Sequence, residues 1–203
     1  MNKKVGKMTL SMALAAVLAF APAQAFAAPA TDISGHWAEK VITQWQEKGL
    51  ISGYEDGTFK PDNSVTRAEF VIMLNKALGF TQKGNVTFSD VSANAWYYDA
   101  VAIAVEAGYC AGYEDGTFKP NATITRAEAA VMIAKAKELT ANTEAADKFA
   151  DASRIPAWAK GSIGAVSAAG FMTGRTDGTF DASNTITRAE AVSSLDRTME
   201  KEE

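Results

Sequence analysis

The tetrapeptide Thr-Arg-Ala-Glu stands at 66–69, 125–128 and 187–190, and each copy places an arginine where a helix would begin. With Thr66 as N-cap, its hydroxyl accepts the Glu69 backbone N–H and the Glu69 carboxylate accepts the Thr66 N–H. Thr125/Glu128 and Thr187/Glu190 repeat this capping box. Helix initiation therefore accounts for the Thr and the Glu and leaves the arginine unexplained. Arg67, Arg126 and Arg188 fall at the first helical position, where the helix dipole disfavours a cation by roughly a few tenths of a kcal/mol. A cation kept there in every copy asks for an anionic partner. Local physics leaves two kinds open: an internal carboxylate such as Asp32, Asp90 or Asp151, or a bound ligand.

The tetrapeptides belong to a longer unit. Gly-Tyr-Glu-Asp-Gly-Thr-Phe-Lys-Pro occupies 53–61 and 112–120, and a diverged Gly-Arg-Thr-Asp-Gly-Thr-Phe-Asp-Ala occupies 174–182. Trp37, Trp96 and Trp158 each precede the Asp of the Asp-Gly pair by 19 residues, and that Asp precedes the Thr by 10 in all three copies. The copies are offset by 59 and then 62 residues, with the difference outside this rigid stretch, so the stretch is one structural unit and the gaps are linkers. The periodicity within it reads helix, loop, helix. Trp37, Val41, Ile42 and Trp45 recur at helical spacing up to Gly49, and Phe70, Val71, Met73, Leu74, Ala77 and Leu78 form a second amphipathic run. Asp-Gly at 56–57, 115–116 and 177–178 marks a tight turn in which Gly57, Gly116 and Gly178 accept positive φ, and their bare backbone is a candidate for ligand contact. Phe59, Phe118 and Phe180, two residues on, read as core anchors. A helical hairpin this short cannot bury its apolar face alone, whereas three stacked copies can. The predicted fold is mainly α: three helix-loop-helix repeats closed into one pseudo-threefold domain.

Composition narrows the function classes. The 203 residues are 47% apolar and 22% charged, the balance of a folded chain. Setting aside Lys3, Lys4 and Lys7 leaves 17 basic against 24 acidic residues, a net charge of −7. That lacks the basic excess a nucleic-acid binder needs. Residues 1–27 read as a signal peptide: a positive n-region, an apolar run from Met8 to Ala21, and a small-x-small site favouring cleavage after Ala27, with Ala25 as the second choice. The apolar run is too short to span a bilayer of about 30 Å, so no membrane insertion is predicted. The predicted division after the signal peptide is repeats over 28–86, 87–147 and 148–203. The single cysteine, Cys110, takes an apolar slot occupied by Ile51 and Met172 in the other copies and reads as a buried thiol. His36 aligns with Ala95 and Ala157 and reads as an ordinary surface residue. The loop lacks the alternating oxygens of a calcium site, and neither a metal nor a cofactor is predicted.

An Asp a few residues before a Trp, a Gly ending the first helix, an Asp-Gly-Thr-Phe loop and then Thr-Arg-Ala-Glu together resemble the S-layer homology (SLH) domain. The resemblance covers the chain from about Asp32 to the end of the third copy, in the arrangement of a Gram-positive surface-layer wall anchor of the Paenibacillus and Bacillus type. It implies a three-pronged, spindle-like domain with grooves between the prongs. It further implies non-covalent binding of a secondary cell-wall polymer attached to peptidoglycan, through a terminal pyruvylated N-acetylmannosamine. Arg67, Arg126 and Arg188 are the contributors carried over from the family. Physical chemistry supplies a mechanism: a pyruvate ketal carries a carboxylate, which suits an Arg beside free helix N-terminal amides. Trp37, Trp96 and Trp158 are predicted as core residues with one edge in a groove, where a sugar face would meet it. Lys60 and Lys119 add charge there, or are solvated loop lysines.

The third copy departs from the pattern, with Arg175 for Tyr54 and Tyr113, Asp181 for Lys60 and Lys119, and Ala182 for Pro61 and Pro120. Asp181 is expected to weaken attraction for an anion, so Arg188 is expected to matter least, with the effect displaced by one copy if neighbouring repeats share grooves. A self-assembly module contacting other surface-layer subunits would explain repeats and caps but leave the arginines idle. A glycosidase would need a unique acid/base pair, and the carboxylates here belong to repeated caps and turns.

Overall fold

The computed structural model describes residues 30–199, and the predicted signal peptide over 1–27 lies outside them. Each copy supplies a first and a second helix: α1 (Glu39–Glu47) and α2 (Arg67–Leu78), α3 (Tyr98–Glu106) and α4 (Arg126–Ala136), then α6 (Ala157–Ala168) and α7 (Arg188–Met199). A short α5 (Thr143–Ala146) and a 3-10 turn (Ala152–Arg154) lie in the second linker. Among the described residues no extended strand forms, and no helix is long and apolar enough to cross a membrane. Gly49, Gly108 and Gly170 take the left-handed conformation after each first helix, with φ of 68°, 74° and 76°. The capping boxes form at Thr66/Glu69, Thr125/Glu128 and Thr187/Glu190.

The packing crosses the repeat boundaries. The second helix of one copy packs against the first helix of the next, α2 on α3 and α4 on α6, and α7 closes the circuit on α1. That last pair joins the two ends of the described chain, and the Trp45 Nε1–H donates across it to Asp196 at 2.8 Å. At the centre a cycle of three backbone hydrogen bonds ties the copies together. Val65 N–H donates to the Ile186 carbonyl, Ile186 to Ile124, and Ile124 to Val65, each at 3.1 Å. All three side chains are fully buried, so these amides depend on one another for satisfaction. Ile42, Val101 and Ile163 from the first helices and Leu74, Ile133 and Leu195 from the second fill the core. Phe59, Phe118 and Phe180 are buried beside them, as expected. Cys110 is buried too, and desolvation pushes its thiol up.

Candidate functional site

The two helix-start amides expected to be free are taken. Arg67 N–H donates to the Ala122 carbonyl and Ala68 N–H to that of Pro120, so the loop of the second copy caps the second helix of the first. Arg126 and Ala127 use Asn184 and Ala182 in the same way, and Arg188 and Ala189 use Asn63 and Pro61. The third amide goes to the N-cap Thr hydroxyl. A mechanism resting on open helix N-terminal amides is therefore corrected: the neighbouring loop fills them.

The arginine side chains follow the same circuit. Each is 4% exposed, and each Nε–H donates at 2.9 Å to the carbonyl of a core phenylalanine: Arg67 to Phe118, Arg126 to Phe180, Arg188 to Phe59. Arg67 pairs with Glu128 at 3.1 Å and Arg188 with Glu69 at 2.9 Å, while Arg126 stands 3.7 Å from Glu190. The internal carboxylate is thus the capping-box glutamate of the next copy. Asp32, Asp90 and Asp151, suggested as that partner, instead brace their own loops, accepting the amides of Phe59 and Lys60, Phe118 and Lys119, and Phe180 and Asp181. Those bonds hold Lys60, Lys119 and Asp181 at φ of 56°, 57° and 64°, a left-handed conformation unusual outside glycine. On Asp32, burial raises the carboxyl, but the two amides outweigh it and leave it lowered.

Above this floor lie three grooves, each built by all three copies. The first, about 260 Å³, takes its loop and second helix from copy one, Arg188 from copy three and Trp96 from copy two. The second, about 650 Å³, combines the loop and helix of copy two with Arg67 and Trp158. The third, about 430 Å³, combines those of copy three with Arg126 and Trp37. The arginine over the diverged loop is therefore Arg126, so the expected weakness moves from Arg188 to Arg126.

The tryptophans correct a second expectation. Trp37, Trp96 and Trp158 are 62%, 67% and 62% exposed, not core. Trp37 and Trp96 precede the first residues of α1 and α3, and in the first and third copies the next alanine, Ala38 or Ala159, enters the core instead. Each indole stands exposed at a groove wall, with Trp37 beside the His36 ring and Trp96 beside that of Tyr97. Tyr54 and Tyr113 line the first and second grooves, stack on Arg188 and Arg67 at 4.8 and 4.5 Å, and donate to Glu69 and Glu128. Burial first, then the bond to Glu128, pushes the Tyr113 hydroxyl up to about 12, so it remains a donor.

Other predicted residues sit at the margin. Lys119 lines the second groove, while Lys60 does not line the first. Each pairs with the aspartate four residues back, Asp56 at 3.0 Å or Asp115 at 3.2 Å. Gly57, Gly116 and Gly178 make the turn at φ of 79°, 75° and 81° and do not line the grooves. The glycines that do are Gly53, Gly112 and Gly174; a Cβ on Gly53 would lie 2.6 Å from the Thr58 carbonyl oxygen. His36 is only half-buried, accepting the Ala38 amide and touching Asp62 at 3.2 Å, so it helps to start α1. Sequence reasoning missed a further set. Lys76, Lys135 and Arg197 line the three grooves from the last turns of α2, α4 and α7. The signal was present, since a basic residue stands ten after the Thr of Thr-Arg-Ala-Glu in every copy.

A ring of helix-loop-helix repeats that assembles its grooves from neighbouring copies is a binding-module architecture. The chain belongs to the S-layer homology domain family, whose model matches residues 31–71, 87–130 and 148–192. It is 38% identical over 142 residues to the Surface-layer 125 kDa protein of Lysinibacillus sphaericus, covering 70% of this chain and 12% of that protein. It is 32% identical over 161 residues to the Cellulosome-anchoring protein of Acetivibrio thermocellus, covering 75% of this chain and 36% of that one. An Endoglucanase of a Bacillus species is 32% identical over 160 residues, covering 76% of this chain and 17% of the enzyme. The chain thus spans a minor part of the length of these relatives.

Proposed function

We propose that this chain anchors a surface protein to the bacterial cell wall by holding the pyruvylated N-acetylmannosamine terminus of a secondary cell-wall polymer in its grooves. Family membership and the surface-layer and anchoring relatives place the chain at the cell surface. The observation that carries the glycan reading is the repeated pairing of an exposed indole with a basic side chain across one groove. Trp96, Trp158 and Trp37 offer flat apolar faces to a pyranose ring. Lys76, Lys135 and Arg197 supply the mobile cation for the ketal carboxylate, with Lys119 beside Lys135 in the second groove. Arg67, Arg126 and Arg188 act chiefly from the floor, holding the loops that shape the site and turning their remaining N–H groups toward it. Asp32, Asp90, Asp151, Gly57, Gly116, Gly178 and Lys60 contribute through loop geometry. No catalytic role is proposed.

The test is retention of the purified chain on cell-wall sacculi before and after chemical removal of the non-peptidoglycan polymer. Retention is expected on intact sacculi and not on stripped ones. Equal retention on both would favour the self-assembly or peptidoglycan-directed alternative.

A further inference from the structure

The three grooves differ in charge and lining at matched positions. The first sets Arg188 and Lys76 against Glu69, and the second sets three cations against three carboxylates. The third sets Arg126, Arg175 and Arg197 against Glu190, with Asp181 beside Arg175. Its walls change in the same direction. Where α2 and α4 present Ile72/Met73 and Val131/Met132, α7 presents Ser193 and Ser194, and the loop adds Thr173 and Thr176. The tyrosine of the other loops is replaced by Arg175.

Each guanidinium has internal partners that fix it at the groove and leave N–H groups over. Arg197 donates to the Phe171 carbonyl at 3.4 Å and the Ser193 hydroxyl at 3.2 Å. Arg175 is held between Glu190 and Asp181, which fixes its fork at the groove wall. Arg126 donates to the carbonyls of Phe180 and Thr173 and stands too far from Glu190 for a close pair. Burial first, and then the Arg175 charge, lower the Arg126 pKa.

The geometry points to the third groove as better matched to a phosphoryl group, a compact dianion, than to the carboxylate-bearing sugar that suits the first two grooves. Three planar forks and a set of hydroxyls match the several oxygens of a phosphate. Serines in place of Ile, Val and Met leave Trp37 as the large apolar face of this groove. The inference revises the glycan reading at this one groove, where Arg126 and Arg197 meet a phosphate instead, and it can fail while that reading holds for the first two grooves.

The experiment is a thermal-shift and NMR titration of the purified chain with inorganic phosphate and with glycerol phosphate, at ionic strength matched by chloride. A saturable response above the chloride baseline is expected, weakened on the order of ten-fold by Arg197→Gln and by Arg175→Tyr. Lys135→Gln, at the same register in the second groove, should keep the wild-type phosphate response. A response to glycerol phosphate assigns the group to an esterified phosphate, and a response to inorganic phosphate alone assigns it to the free ion; both support the site. No response above chloride, or a response that survives both arginine variants or falls equally in Lys135→Gln, overturns it. If Arg197→Gln does not fold, Arg175→Tyr decides, because the other two loops already carry tyrosine there.

Discussion

The second and third grooves share a scaffold and differ in much of their lining. Arg67 and Arg126 reach the Phe118 and Phe180 carbonyls at the same 2.9 Å, and Asp90 and Asp151 brace their loops alike. Lys119 and Asp181 even share the same left-handed backbone conformation. The loops are held mainly by bonds to backbone atoms, which do not depend on the side chain, so the lining can diverge without moving the floor. The difference shows at the shared glutamates. Glu128 takes Arg67, with Tyr113 beside it, whereas Glu190 takes Arg175 and leaves Arg126 at 3.7 Å.

That contrast is sharpest in the stability of arginine variants. Arg67→Ala leaves the largely buried Glu128 carboxylate without its cation and the Phe118 carbonyl without its donor, and a loss of about 3 kcal/mol is expected in urea unfolding. Arg126→Ala should cost clearly less, because Glu190 keeps Arg175. Equal losses would show that the glutamate pairing is not what distinguishes the two grooves.

Binding variants come next. Trp158→Ala should weaken glycan binding at the second groove by on the order of ten-fold while leaving the melting temperature within the spread of repeat measurements, because the ring is exposed. Calorimetric titration with a synthetic pyruvylated N-acetylmannosamine reads the first, and a melt reads the second. Thr125→Ala should do the reverse, costing about 1 kcal/mol of stability for a lost N-cap with affinity retained.

The smallest effect is the response of the loops to acid. Bonds from Thr58 lower Asp56 to about 2, and Thr117 and Thr179 lower Asp115 and Asp177 in the same way. A carboxyl lowered in the fold stabilises it above the ordinary value of 3.8, and that contribution disappears as pH falls toward the folded-state value. The melting temperature should therefore decline between about pH 4 and about pH 2, modestly because these groups are exposed. A melting temperature that rises over that interval would contradict the sign.

Local chemistry was legible along the chain. The capping boxes, the Asp-Gly turns, the helix-ending glycines and the core phenylalanines depend on residues a few positions apart, so a repeated motif announces them without knowledge of the fold. The partners of the arginines lie 47 to 129 residues away, and choosing among carboxylates required knowing which copy sits beside which. The tryptophans misled for a related reason, since their helical phase suggested core while the point where each helix begins decided exposure. The register of Lys76, Lys135 and Arg197 was visible, but its meaning was not. Each groove draws its loop, its arginine and its tryptophan from three different copies, and only closure of the ring through α7 and α1 brings them together.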